Sequence, residues 1–201
     1  MTRDAIRALQ ALLSAAGHDP GPEDGLWGAR TAAAVAAWRA GRGAADEAAG
    51  PVLYQDGRHP VHHVVIHCAA TRPDWMVGRP LSDKVAEIRR WHVDERRWRD
   101  IGYHWLIDRD GRVQAGRPET TTGAGVEGLN QGVIHICLIG GHGSDADDRF
   151  EDHFTPAQAV SLRQMLSAIG MRTRIDRITG HNQHARRACP GFSVPDWLKG
   201  A

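Results

Sequence analysis

Apolar residues recur at helical spacing in two stretches near the N-terminus. Over residues 4–16, Ile6, Leu9 and Leu12/Leu13 fall along one side of a helix. Over 29–40, "ARTAAAVAAWRA" places Ala32, Val35 and Trp38/Arg39 in the same way. The intervening "GHDPGPEDGLWG" stops the first helix with Gly and Pro and forces a compact loop, whose Leu26 and Trp27 are expected to complete an otherwise thin core. From 40 to 51 the chain changes to small and polar residues, "AGRGAADEAAGP", which reads as a linker.

Beyond it the two periodicities alternate. "VHHVVIHCA" at 61–69 reads as a strand, and "LSDKVAEIRRWHVDERRW" as a helix with Val85, Ile88 and Trp91/His92 on one side and Ser82 as its N-cap. "YHWLIDRDGRVQAGR" predicts a hairpin about Arg109-Asp110-Gly111. "GVIHICLIGG" at 132–141 is a nearly unbroken apolar run and so a central, buried strand. In "FTPAQAVSLRQMLSAIG", Thr155 is the expected N-cap, Pro156 the first helical residue, Gln158 the partner in a capping box and Gly170 the stop. A last strand, "RIDRITG", ends at Gly180. Interleaved strands and helices predict an α/β domain, a mixed central sheet flanked by helices, preceded by a small all-α domain.

Composition narrows the partners. The 201 residues and 41% apolar content support a folded domain with a smaller companion. With 25 Lys+Arg against 24 Asp+Glu the formal charge is +1, so no single-sign field draws the chain to nucleic acid or to an acidic membrane. The expectation is a monomer without membrane insertion: no stretch reaches the ~18 apolar residues of a spanning helix. Asp4 within the first amphipathic segment argues against a signal peptide, so synthesis in the cytoplasm is expected. Cys68, Cys137 and Cys189 imply no disulfide framework.

The chemistry lies in two separated segments, "VVIHC" and "GHNQHARRACPG". Strand alternation turns His67 away from Cys68 and sets it at the carboxyl end of its strand, where α/β folds place their sites. His181 ends the last strand, and Cys189 follows eight residues later, enough loop to bring sulfur back beside an imidazole. Two His and one Cys fill three corners of a tetrahedral metal site and leave the fourth open for water. The alternative is accidental pairing, since the chain carries 12 histidines and no compact H-E-x-x-H or C-x-x-C signature.

Taken in order, "VVIHCAAT", "IRRWHVDERRWRDIGYHWLIDRDGRVQAGRP", "GLNQGVIHICLIGG", "FTPAQ" and "GHNQHARRACPGF" resemble the zinc-dependent N-acetylmuramoyl-L-alanine amidases, in the superfamily that also contains phage lysozymes and peptidoglycan-recognition proteins. Separately, "IRALQALLSAAGHDPGPEDGLWGARTAAAVAAW" resembles the small helical peptidoglycan-binding domain. The resemblances imply a peptidoglycan-binding domain at 1–43, a linker at 44–60 and a zinc amidase domain at 61–201. They imply Zn2+ held by His67, His181 and Cys189, with Tyr103 and Arg187 catalytic and Asn182 and His184 as contacts to substrate. The implied reaction cleaves the amide between muramic acid and L-alanine with a zinc-activated water, in the manner of an endolysin that reaches the wall during host lysis.

Three residues depart from that pattern. Arg187 stands where the best-known phage members carry lysine, and a guanidinium that never deprotonates can stabilise negative charge but cannot act as a base. Gly125 of "GAG" stands where many relatives read "GAH", and His135 where glycine is usual. Alternation puts His135 on the face of Val133 and Cys137, as a packed strand histidine or a groove residue. His62, His63, His92, His104 and His142 read as structural or exposed. Two other functions fit parts of the sequence. A binding or sensing module without hydrolysis predicts a lost ligand, and none is lost; a cytosolic amidase recycling wall fragments needs no polymer-binding domain.

Overall fold

A computed structural model describes residues 3–46, 52–56 and 59–200, in two compact units, Met1–Gly50 and Pro51–Ala201. The first contains helices α1 (Arg3–Ala15) and α2 (Ala29–Asp46). Its organiser is a buried amide: Gln10 Nε2 donates to Leu26 O (3.0 Å) and Thr31 Oγ1 (3.2 Å), and its Oε1 accepts from Gly25 N–H (2.9 Å). Leu26 and Trp27 stay half exposed, so this polar clasp, more than the loop's apolar residues, closes the unit. Helix α2 runs through part of the expected linker because "AGRGAAD" is alanine-rich enough to prolong it. Linker residues 47–51 and 57–58 lie outside the described residues.

The larger unit opens with a two-stranded ribbon, β1 (Tyr54–Gln55) and β2 (His59–Pro60), also within the expected linker. Gln55 is fully buried and clamps the sheet, donating to Val133 O (2.7 Å) and accepting from Gly132 N–H (3.0 Å). The sheet has the order β5-β4-β6-β3-β7, with β3 (His63–Cys68), β4 (Trp105–Ile107), β5 (Val113–Ala115), β6 (Val133–Leu138) and β7 (Arg177–Gly180). β3 runs parallel to β6 and β7, β4 parallel to β6, and the β4–β5 hairpin alone is antiparallel.

Alternation sorts the central strands into two unlike faces. Val64, Ile66, Ile134, Ile136 and Leu138 face an apolar layer with α5 (Pro156–Gly170) and α6 (Val194–Lys199). On the other face Cys137 and Leu106 meet Leu81, Val85 and Ile88 of α3 (Leu81–Arg90), but His63, His67 and His135 also lie there. That polar strip carries His67, the candidate ligand on β3. A buried pair, Lys84 Nζ on both Asp108 oxygens at 2.8 Å, ties α3 to the end of β4.

Several helix ends differ from expectation. The N-cap of α3 is Pro80 rather than Ser82, which lies one residue inside and caps nothing; α3 then passes into a π-turn at Trp91–Glu95. The short helices α4 (Phe150–His153) and α6 carry too few residues to show a period. The capping box of α5 forms as predicted: Thr155 Oγ1 accepts from Gln158 N–H (3.2 Å), and Gln158 Oε1 accepts from Thr155 N–H (3.1 Å). Thr155 Oγ1 also donates to Arg109 O at 2.6 Å, so Thr155→Ala is expected to cost about 1–2 kcal/mol in a urea titration. Gly170 ends α5, with Met171 as its C-cap. Among the described residues no helix is long and apolar enough to cross a membrane.

Candidate metal centre

His67 is the fifth residue of β3, fully buried, and its register partner is Cys137 of β6. β7 delivers His181 one residue past Gly180, at the start of a single 3-10 turn (His181–Gln183). The loop that follows is pinned at both ends. Asn182 Nδ2 donates to Ala146 O (3.3 Å) and Phe192 O (3.2 Å), and Phe192 sinks into an aromatic cluster with Phe150, Phe154 and Trp197. Cys189 lies between these anchors and takes the Cys68 backbone N–H on its sulfur at 3.2 Å.

The three candidate ligands therefore meet. One donor atom each from His67, His181 and Cys189 lie within 4.8 Å of one another, and His67 Nδ1 is 3.8 Å from Cys189 Sγ. A tetrahedral ion with bonds of about 2.0 Å to nitrogen and 2.3 Å to sulfur sets N···S near ~3.6 Å, close to the His67–Cys189 separation. Protonation fits too. Burial, then the charge of His181, holds His67 well below the ordinary 6.5; burial, then Arg187, lowers His181. Both imidazoles are thereby kept neutral, as metal ligands must be. Without a cation, the hydrogen bond to Cys68 and burial hold the Cys189 thiol well above its usual value; a bound dication displaces that proton.

Tyr103 precedes β4 and sets its ring 5.1 Å from that of His67. Burial, then the neighbouring cysteines, pushes its hydroxyl well above 10, so it remains an O–H donor. Behind it His92, delivered by the π-turn, packs edge-on at 5.2 Å and accepts Gly102 N–H at 3.1 Å. The π-turn is a local irregularity of a kind that recurs at functional sites and leaves no mark in the apolar period.

A groove of ≈ 690 Å³ is lined by Asp145, Asn182, His184, Arg186 and Arg187. Arg187 is exposed there, while His184 shares a hydrogen bond with Thr179 Oγ1 at 2.8 Å. Asn182 spends its amide hydrogens on Ala146 and Phe192, and its oxygen is buried against Gly180 without a partner, so its polar atoms hold the loop and are not presented to the groove as a substrate contact would be. Of the two readings of His135, the packed strand histidine holds: the side chain is fully buried, with its Nδ1 3.0 Å from His67 Nε2.

Residues 57–192 match the N-acetylmuramoyl-L-alanine amidase family, and residues 2–43 match a family described as a putative peptidoglycan-binding domain. The endolysin of Escherichia phage T7 is 39% identical over 140 residues, spanning 70% of this chain and 87% of that protein. The endolysin of Enterobacteria phage T3 is 40% identical over 134 residues, spanning 67% and 83%. Among solved structures, the amidase LysC of Clostridium intestinale shares the fold with a TM-score of 0.54 at 24% identity, over 68% of this chain and 80% of that one. The donors gathered at the ends of β3 and β7 thus sit within the matched residues, and the chain belongs to the N-acetylmuramoyl-L-alanine amidase family, with a peptidoglycan-binding domain ahead of its catalytic one.

Proposed function

We propose that His67, His181 and Cys189 hold a zinc ion, and that the protein uses it to cut the amide joining N-acetylmuramic acid to L-alanine in intact cell wall. The observation that carries this reading is the convergence of three donors from distant segments. Zinc so held supplies Lewis acidity, polarising the scissile carbonyl and acidifying a water at neutral pH. The thiolate of Cys189 offsets one of the two positive charges and leaves the site net cationic toward the oxygen that gains charge. Tyr103, held as a neutral phenol, donates a hydrogen bond to that oxygen. A guanidinium is no general base, so Arg187 grips a carboxylate of the stem peptide or developing negative charge, and proton transfer falls elsewhere.

Residues 1–43 hold the enzyme on the polymer, with 44–60 joining them to the catalytic residues 61–201. That arrangement suits host lysis, with enzyme made in the cytoplasm reaching the wall once the membrane is breached; the endolysin relatives support this reading. Purified protein incubated with isolated sacculi is expected to release new L-alanine amino termini without new reducing sugar ends. A chelator should stop the release and zinc restore it. Reducing ends without L-alanine amines would overturn the bond assignment. Tyr103→Phe, which keeps the ring and removes the donor, is expected to lower kcat by about 10²-fold with little change in KM, measured by the same assay.

A further inference from the structure

His135 occupies the middle of β6 with no exposure to solvent, beside the proposed metal site but outside its ligand set. Its surroundings fix its role through hydrogen placement. His67 Nδ1 faces Cys189 Sγ at 3.8 Å, while His67 Nε2 faces His135 Nδ1 at 3.0 Å. A ring nitrogen that ligates a metal carries no hydrogen, and a neutral imidazole keeps one, so the hydrogen of His67 belongs on Nε2. It then points at His135 Nδ1, which must accept.

We infer that His135 is a positioning residue: its Nδ1 accepts the Nε2–H of His67 and thereby fixes which nitrogen of His67 faces the metal. The acceptor is itself braced. The His135 ring stacks on that of His104 at 5.7 Å and 12°. His104 accepts the His135 backbone N–H on Nδ1 at 2.9 Å and donates from Nε2 to Thr121 O at 3.0 Å. Its tautomer is therefore set by two backbone groups. His135 Nε2, the nitrogen left to carry that ring's hydrogen, is buried without a partner, so solvation of His135 itself does not explain its presence.

The facing loop is cut to fit this ring. A Cβ on Gly125 would lie 2.4 Å from His135 Nδ1, and one on Gly123 would lie 2.5 Å from its Cδ2. The glycine at 125 and the histidine at 135, two separate departures from the family pattern in the sequence, are thus one device: the space a side chain at 125 needs is filled by the imidazole from β6.

The inference rests on the metal reading above, and its test separates the two. Zinc affinity is measured by competition with a chelating dye, and the tautomer of His67 by two-bond ¹H–¹⁵N correlation in zinc-loaded protein. Native protein is expected to show His67 with hydrogen on Nε2. His135→Leu should weaken zinc binding by about 10- to 100-fold, and His135→Asn, whose Oδ1 accepts from a similar place, should return it to within about threefold of native. Gly125→Ala, which alters no donor, should weaken binding by displacing the ring. If native protein binds zinc, Cys189→Ala abolishes that binding and His135→Leu leaves it unchanged, the positioning role is wrong and the metal site stands. Loss in the leucine variant with no rescue by asparagine also overturns it, as does a hydrogen on Nδ1 of His67. Should His135→Leu not fold, the asparagine variant and the native tautomer decide. Native protein that binds no zinc removes both readings.

Discussion

Cys189→Ala is expected to lower release of L-alanine amino termini by about 10³-fold or more, to a rate that added zinc does not raise. Among the described residues, His67, His181 and Cys189 form the one group of three or more side chains able to gather on a metal. Without the sulfur two imidazoles remain, and the thiolate that offsets charge and closes the third corner is gone. Tyr103 and Arg187 survive the substitution but have no polarised carbonyl to act on. The structural cost is small by comparison: the Cys68 backbone N–H loses its acceptor, worth about 1 kcal/mol. The variant should therefore keep the native circular dichroism spectrum while its zinc content falls to background. Full turnover from a folded, zinc-free Cys189→Ala protein would show that these residues are not the ligand set.

Acid should unfold the amidase well above the pH at which carboxylates titrate. His63, His92 and His104 are nearly inaccessible to solvent, and each is held down to about 4 from 6.5. Burial is the first cause in all three. The charge of Arg177 adds to it at His63 and that of Arg96 at His92, whereas the Thr121 carbonyl works against it at His104. Between pH 6.5 and 4 the unfolded chain binds protons at these positions and the native protein does not, so stability falls as pH falls. Each fully titrating histidine contributes a slope approaching ~1.4 kcal/mol per pH unit, and three together about 4, against a total of about 5–15 kcal/mol for an ordinary domain. The urea midpoint at pH 5 should lie far below that at pH 7.5. Running the titration in chelator as well as in zinc separates this slope from acid release of the metal. An equal midpoint at the two pH values would mean that these imidazoles are not buried neutral.

What the sequence made legible is what depends on nearest neighbours in the chain. Alternation through "VVIHC" is enough to turn His67 and Cys68 to opposite faces, and Pro156 with Thr155 and Gln158 is enough to start α5. The hairpin forms where Gly111 was placed, with φ 84° at that residue and its N–H on Asp108 O at 2.9 Å. The convergence of His67, His181 and Cys189 could be raised from strand ends and spacing but was told from accidental pairing only through resemblance to a family, because their meeting depends on strand order and on two loop anchors distant in sequence.

The remainder was hidden for the same reason. Gln55 looks like a linker residue until its partners at Gly132 and Val133 come from 77 and 78 residues away. Gln10 looks like a surface residue of α1 until the loop folds over it. Ser82 has the right residue type for a cap, but Pro80, with its fixed φ, begins α3 two residues earlier. His135 could be placed on a strand face by alternation, yet nothing local says that an imidazole from β3 will point at it.

The most direct measurement is X-ray absorption at the zinc edge of the loaded protein. One sulfur at ~2.3 Å and two imidazole nitrogens at ~2.0 Å are predicted, with the sulfur absent in Cys189→Ala. A second sulfur in the native spectrum, bringing Cys68 onto the metal, or no sulfur at all, would contradict the account.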